Sequence, residues 1–164
     1  MLGFDGRNQR RVSNWEELQE AWDSLGGGSY IFEREVSFAM EISVIVARSL
    51  TGEVETFPVF QNLHDGILIE TKCPARVSES VRLKAIAATK KLASALEIVG
   101  LLAVEFFVTA EDEVVFNEMA PRPHNTGHLT IEACQTSQFE QLIRAICGWP
   151  LGSPELRDPL SVFT

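Results

Sequence analysis

Basic residues are scarce in this chain: 14 Lys and Arg stand against 23 Asp and Glu, a formal net charge of −9. A broad nucleic-acid or anionic-membrane surface needs clustered Lys and Arg to replace counterions, so neither partner is expected. Any anionic ligand has to be met by a local cluster of donors. Long apolar runs are also missing, and none reaches the roughly 20 residues that a helix needs to span a bilayer. Cysteine is sparse and odd in number, and Cys73, Cys134 and Cys147 lack the close spacing of a zinc site or redox pair. Reduced thiols in the cytoplasm are the expected state. Met1 is not followed by charged, apolar and cleavage regions in turn, so no secretory signal is expected. What remains is ordinary for a globular protein: 45% apolar and 23% charged over 164 residues, enough for one core or two small lobes.

The apolar period switches along the chain from helix to strands to helix, then to a hairpin, a loop and a last helix, which is an α+β pattern. Asn14 followed by Trp15, Leu18, Ala21, Trp22 and Leu25 predicts a capped amphipathic helix that stops at Gly26-Gly27-Gly28. Four strand-like segments follow, at Tyr30 to Glu33, Glu41 to Ala47, Val54 to Val59 and Gly66 to Thr71. Ser78 can cap a long helix whose apolar positions are Val81, Ala85, Ala88, Leu92 and Leu96. A last helix is expected from about Ser137 to Cys147, ended by Gly148 and Pro150.

Two glutamates lie inside apolar strands, Glu105 in Leu-Leu-Ala-Val-Glu-Phe-Phe-Val and Glu118 in Val-Val-Phe-Asn-Glu-Met-Ala. Carboxylates seldom sit in such runs without a partner. The stretch Thr109 to Glu113 between them has hairpin-loop length, so the strands should pair antiparallel. If paired residue numbers sum to 223, the two carboxylates face each other and repel. Neither strand carries Lys or Arg, which makes a hard divalent cation such as Mg2+, shared with a nucleotide's phosphates, the economical bridge. The same spacing also accommodates two partly exposed glutamates on an open sheet face.

The loop from Ala120 to His128 leaves the second of these strands directly and carries Arg122, His124, Asn125 and His128 towards the cation's neighbourhood. Arg122 offers a planar fork for phosphate or carboxylate. His124 and His128 have helical spacing, yet Pro123 and Gly127 oppose a regular helix, so a zinc site is not expected. The alternative is a rigid connection whose histidines bond only to backbone. Near the N-terminus, Gly3-Phe4-Asp5-Gly6-Arg7-Asn8-Gln9 has the composition of a phosphate cover, but no Lys-Ser or Lys-Thr ends it, so it is not a Walker loop. An ordinary N-terminal turn has the same composition.

Taken together, Val104 to Val108, Asn117 to His128 and Thr136-Ser137-Gln138-Phe139-Glu140-Gln141 resemble the ATP-grasp family of 5-(carboxyamino)imidazole ribonucleotide synthases. The likeness extends back through Asn62 to Leu68, Glu41 to Val44 and the glycine loop. It implies an α+β ATP-grasp fold, antiparallel sheets packed with helices in two lobes. Residues 1–33 would be the remainder of the small lobe, 34–152 the large lobe and 153–164 the start of a connection to a C-terminal domain. The implied reaction uses ATP to convert bicarbonate to carboxyphosphate, which carboxylates 5-aminoimidazole ribonucleotide. Mg2+, or Mn2+ in its place, would be the cofactor, and a cytoplasmic homodimer the expected assembly. The family's lysine strand and C-terminal domain would lie outside these residues, which makes a fragment the expectation.

Residue by residue, the resemblance assigns Glu105 and Glu118 to the metal, with Asn117 beside it. Glu33 and the backbone of Val36 would meet the adenine, Glu41 the ribose, and His64 the bicarbonate side of the nucleotide. Gly3, Phe4, Asp5, Gly6, Arg7, Asn8 and Gln9 would close over the phosphates, with Asp5, Arg7 and His64 the catalytic set. Arg122, His124 and Asn125 would hold substrate. Phe4 and Asn8 stand where the family usually has Tyr and Gly. A biotin-carboxylase-like ligase or a non-catalytic nucleotide-binding module are the competing readings.

Overall fold

The computed structural model describes residues 9–26, 28–158 and 161–163, the last three through their backbone alone. The chain divides into two compact units, one ending at Glu35 and the other beginning at Val36.

In the first unit, α1 (Trp15–Ser24) starts where expected, because the Asn14 side chain accepts a hydrogen bond from the Glu17 amide at 2.9 Å. No residue of α1 is buried. Trp15, Leu18, Trp22, Leu25, Tyr30 and Phe32 line an open apolar cleft of about 480 Å³. The strand expected from Tyr30 to Glu33 is not formed. Tyr30 instead donates its hydroxyl to the Leu25 carbonyl and packs edge-on against Trp22. The first unit's described residues contain no strand to pair with, and β propensity alone does not hold a strand.

The second unit is a seven-stranded antiparallel sheet with helices on both faces. Its strands are β1 (Met40–Arg48), β2 (Val54–Thr56), β3 (Phe60–Asp65), β4 (Ile67–Cys73), β5 (Gly100–Val108), β6 (Val114–Ala120) and β7 (Ser161–Phe163). They run in the order β6-β5-β1-β3-β4-β7, with β2 pairing β1. β1 and β5 are central, which explains their near-continuous apolar runs. One face packs on α2 (Glu79–Ala95) through Ile42, Val44, Val46, Leu102, Val104, Phe106 and Val108. The other carries Ile45, Ala47, Phe57, Phe60, Leu101 and Ala103 under Leu129, which precedes α3 (Thr130–Ala133), and under Ala133 of α3 and Leu142 of α4 (Gln138–Ile146). Phe57 and Phe60 are fully buried, each stabilising the fold by roughly 1.5–3 kcal/mol.

By strand alternation, Glu41, Ser43 and Glu105 continue the face of Ile45, Ala47 and Ala103, beyond the apolar cluster that α3 and α4 cover. That open end of the sheet is where polar chemistry collects.

β3 is absent from the sequence-based expectation because Gln61, Asn62, His64 and Asp65 read as loop. Asn62 is buried and satisfied across strands, donating to Ser43 Oγ at 3.0 Å and accepting from Thr71 Oγ1 at 3.2 Å. β2 ends at Thr56, shorter than expected, two residues before Pro58, whose missing N–H suits no ladder. On α2, Ser78 caps as expected, while Thr89 and Ala93 are buried and Leu96 is 46% exposed. Thr89 can be buried because its hydroxyl bonds back to the Ala85 carbonyl at 2.9 Å. Ser78→Ala should cost about 1 kcal/mol through loss of the bond to the Val81 amide. Thermal unfolding should report this as a fall in Tm of roughly 2–4 °C.

Candidate functional site

The β5–β6 hairpin has the expected register: Glu105 pairs with Glu118, Val104 with Met119 and Ala103 with Ala120. Beyond Glu105 the register shifts, so that Phe106 faces Phe116 and Asn117 becomes the extra residue of a bulge. The bulge occurs at the carboxylate pair itself and places Asn117, exposed, next to Glu118. Glu118 is exposed, whereas the Glu105 side chain is only 13% exposed.

Pro121 and Pro123 end the ladder after β6, and the chain turns through a 3-10 segment, Asn125–Gly127. This turn brings the buried His124 back to the carboxylates, with Nδ1 3.6 Å from Glu105 Oε1 and 3.0 Å from Thr126 Oγ1. Ligand atoms of Glu105, Glu118 and His124 all lie within 4.8 Å of one another. Burial and then the charge of Glu118 push the Glu105 carboxyl up to about 7, with His64 pulling down and Glu41 pushing up. Burial, then Arg122, His64 and His128, push His124 down to about 4. Both shifts have burial as their first cause, so the carboxylate and the imidazole sit in a partly desolvated pocket. Two opposed carboxylates and an imidazole nitrogen there fit a divalent cation.

Glu41 pairs in register with Phe107 on β5 and Asn62 on β3, and its Oε2 lies 2.7 Å from His64 Nδ1. An ionised carboxylate only accepts, so Nδ1 carries the proton of that bond and Nε2 remains available. Both residues line a cleft of about 370 Å³ together with Phe38, Asn62, Glu70 and Lys72. The electrostatic influence of Glu41 and His64 on Glu105 makes them one polar neighbourhood with the carboxylate pair.

The other expected site residues are more scattered. Arg122 is exposed and donates to the Pro123 carbonyl at 3.0 Å, and Asn125 is exposed and accepts from the Thr126 amide. Glu33 is exposed in the first unit, and Val36 is half-buried at the start of the second. Gln9 is exposed, while Gly3, Phe4, Asp5, Gly6, Arg7 and Asn8 lie outside the described residues. His128 stays out of the cluster and stacks on Phe139. Sequence reading brought His124 to the neighbourhood of the carboxylates, though as a substrate residue, and missed Gln138, fully buried, which bonds twice to the His124 backbone. The one available signal was the polar run Thr136 to Gln141 at the start of an amphipathic helix.

A sheet that sets the largely covered Glu105 opposite the exposed Glu118, backed by a His- and Arg-bearing loop, defines an α+β protein with side chains grouped so that they could hold a metal ion. Residues 1–139 match the family model described as the ATP-grasp domain, and the chain belongs to the ATP-grasp family. Among curated relatives it is 48% identical over 158 residues to the N5-carboxyaminoimidazole ribonucleotide synthase of Bacillus subtilis, covering 96% of this chain and 42% of that protein. It matches the crystal structure of an ADP complex of N5-carboxyaminoimidazole ribonucleotide synthetase with a TM-score of 0.90 at 48% identity, over 98% of this chain and 42% of the other. The Aspergillus clavatus N5-carboxyaminoimidazole synthase, crystallised with ADP and 5-aminoimidazole ribonucleotide, gives 0.86 at 34% identity, over 93% and 41%. The chain thus spans about two fifths of the length of these relatives. Among the described residues no helix is long and apolar enough to cross a membrane.

Proposed function

We propose that this chain is the metal- and nucleotide-binding part of an ATP-dependent ligase. The ligase carboxylates 5-aminoimidazole ribonucleotide with bicarbonate to the N5-carboxyamino product, a step of purine (IMP) biosynthesis. The observation that carries this reading is the Glu105–Glu118 opposition with His124 beside it, in a chain 48% identical to a synthase of that name.

In this reaction a bicarbonate oxygen takes the γ-phosphoryl group of ATP as the bond to the β-phosphate oxygen breaks, giving ADP and carboxyphosphate. The exocyclic amine then bonds to the carboxyl carbon, phosphate leaves, and the amine gives up one proton. Mg2+, or Mn2+, neutralises phosphate charge when bound. Glu105 and Glu118 would hold it, with Asn117 as the neighbouring donor. Glu41 meets the ribose, and Glu33 and the Val36 backbone meet the adenine. His64, its Nδ1 engaged by Glu41, offers Nε2 towards bicarbonate. Asp5 and Arg7, within the Gly3 to Gln9 segment, cover the phosphates and exclude water that would hydrolyse carboxyphosphate. Arg122, His124 and Asn125 face the imidazole substrate. Residues 1–33 act as part of one lobe, 34–152 as the other, and 153–164 as a connection. The assembly is read as a cytoplasmic homodimer, consistent with the three free cysteines.

The test grafts these 164 residues in place of the matching segment of the Bacillus subtilis relative and measures ADP release with ATP, Mg2+ and bicarbonate. Stimulation by 5-aminoimidazole ribonucleotide, with carbamate formed, is the expected result. Stimulation by biotin or an amino acid instead would reassign the substrate.

A further inference from the structure

We propose that Gln138 is a positioning residue that sets cation affinity by clamping the backbone of His124, an inference that rests on the cation reading of Glu105 and Glu118. Pro121 and Pro123 deny the loop after β6 any regular ladder, yet His124 is buried and its amide and carbonyl need partners. Gln138 supplies the amide's partner and a second donor to the carbonyl, which also accepts from the Gly127 amide at 3.0 Å. Its Oε1 accepts from the His124 amide at 2.9 Å, and its Nε2 donates to the His124 carbonyl at 2.7 Å. The side-chain amide thus stands in for a neighbouring strand.

The clamp is itself braced. The Gln138 amide, left without a helical partner in the first turn of α4, donates to Thr130 Oγ1 at 2.9 Å, and that hydroxyl donates to the Gly127 carbonyl at 2.6 Å. Gly127 leaves room for it, since a Cβ there would stand 2.7 Å from Gln138 Oε1 and would also meet Ile45 Cδ1. With backbone and neighbours fixed, the His124 ring is held with Nδ1 3.6 Å from Glu105 Oε1. Residues that orient a metal's surroundings from outside characteristically change affinity 10- to 100-fold when removed.

The fold contains its own control. One helical step further on, Gln141 is equally buried and makes the same double bond, donating to the Gly152 carbonyl at 2.6 Å and accepting from the Gly152 amide at 2.8 Å. It ties down the segment after α4, not the site loop. Loss of either glutamine therefore removes two hydrogen bonds from α4, but only loss of Gln138 frees the His124 amide, whose carbonyl keeps the Gly127 amide.

The experiment measures Mn2+ affinity by electron paramagnetic resonance, and hydrogen exchange of the His124 amide by NMR, in the 164-residue protein and four variants. Gln138→Met should weaken Mn2+ about tenfold or more and expose the His124 amide to exchange. Gln141→Met should leave Mn2+ affinity within about twofold. Should Gln138→Met fail to fold, Gln138→Glu keeps the shape and the acceptor for the His124 amide while losing the donor to its carbonyl, and should weaken Mn2+ in the same direction. Equal Mn2+ affinities in the Gln138 and Gln141 variants, or a His124 amide still protected in Gln138→Met, would overturn the proposal. Glu118→Gln separates the two readings. If it leaves Mn2+ affinity unchanged, the carboxylate site itself fails, and the cation role of Gln138 with it. If it weakens Mn2+ and Gln138→Met does not, only the positioning role fails.

Discussion

Glu118→Gln is expected to weaken Mg2+-dependent nucleotide binding by roughly 2 kcal/mol or more, about thirtyfold, while leaving the metal-free fold at least as stable. The loss follows from removing one charge of a pair that a cation must bridge in a partly desolvated site. The stability follows from the register: Glu105 and Glu118 face each other directly, and like charges so placed repel until something positive intervenes. Glu118 is exposed on β6, the edge strand, so the amide leaves no cavity and strands no buried partner. Calorimetric titration with ATP, with Mg2+ and again with the metal chelated, together with thermal unfolding, measures both quantities. Unchanged Mg2+-dependent affinity would mean that the two carboxylates do not share a cation.

The second large effect is in pH. A cation can use Glu105 only as a carboxylate, and burial with the charge of Glu118 holds that carboxyl up at about 7. Divalent affinity should therefore fall about tenfold for each pH unit below 7, and binding near pH 6 should release about one proton. Mn2+ titrations at several pH values, and calorimetry in buffers of different ionisation enthalpy, check this. A flat profile between pH 5.5 and 7.5 would contradict it.

Stability without metal carries the same groups with opposite signs. Glu105 is raised from 4.5 to about 7, so its contribution is fully present below about pH 4.5 and is lost as pH rises through 7. His124 is lowered from 6.5 to about 4, so its contribution is present above about pH 6.5 and is lost as pH falls through 4. Between about pH 4.5 and 6.5 the two slopes oppose each other, and the metal-free protein should show little change there. Above that window only Glu105 acts, so Tm should decline as the carboxylate ionises, and added Mg2+ should raise it most at the alkaline end.

Local chemistry alone determined several elements of this protein. Asn14, Ser78 and Ser137 each cap a helix through a side-chain oxygen, as their types and positions require. The alternation of the two glutamate strands and the loop length between them determined the opposition of Glu105 and Glu118, because strand period and hairpin closure are short-range properties. The bulge that begins at that pair was not readable, since it shifts Phe106 onto Phe116 without disturbing the register on the carboxylate side.

Tertiary structure decided the rest. β3 reads as loop because its buried Asn62 is satisfied by Ser43 and Thr71, partners 19 and 9 residues away, and no local period reports such bonds. His124 joins the carboxylates only because a loop without regular structure folds back, and Gln138 holds it there from 14 residues along the chain. A side chain that satisfies a distant backbone leaves no periodic trace in sequence. Its meaning exists only once the sheet, the loop and α4 are packed together.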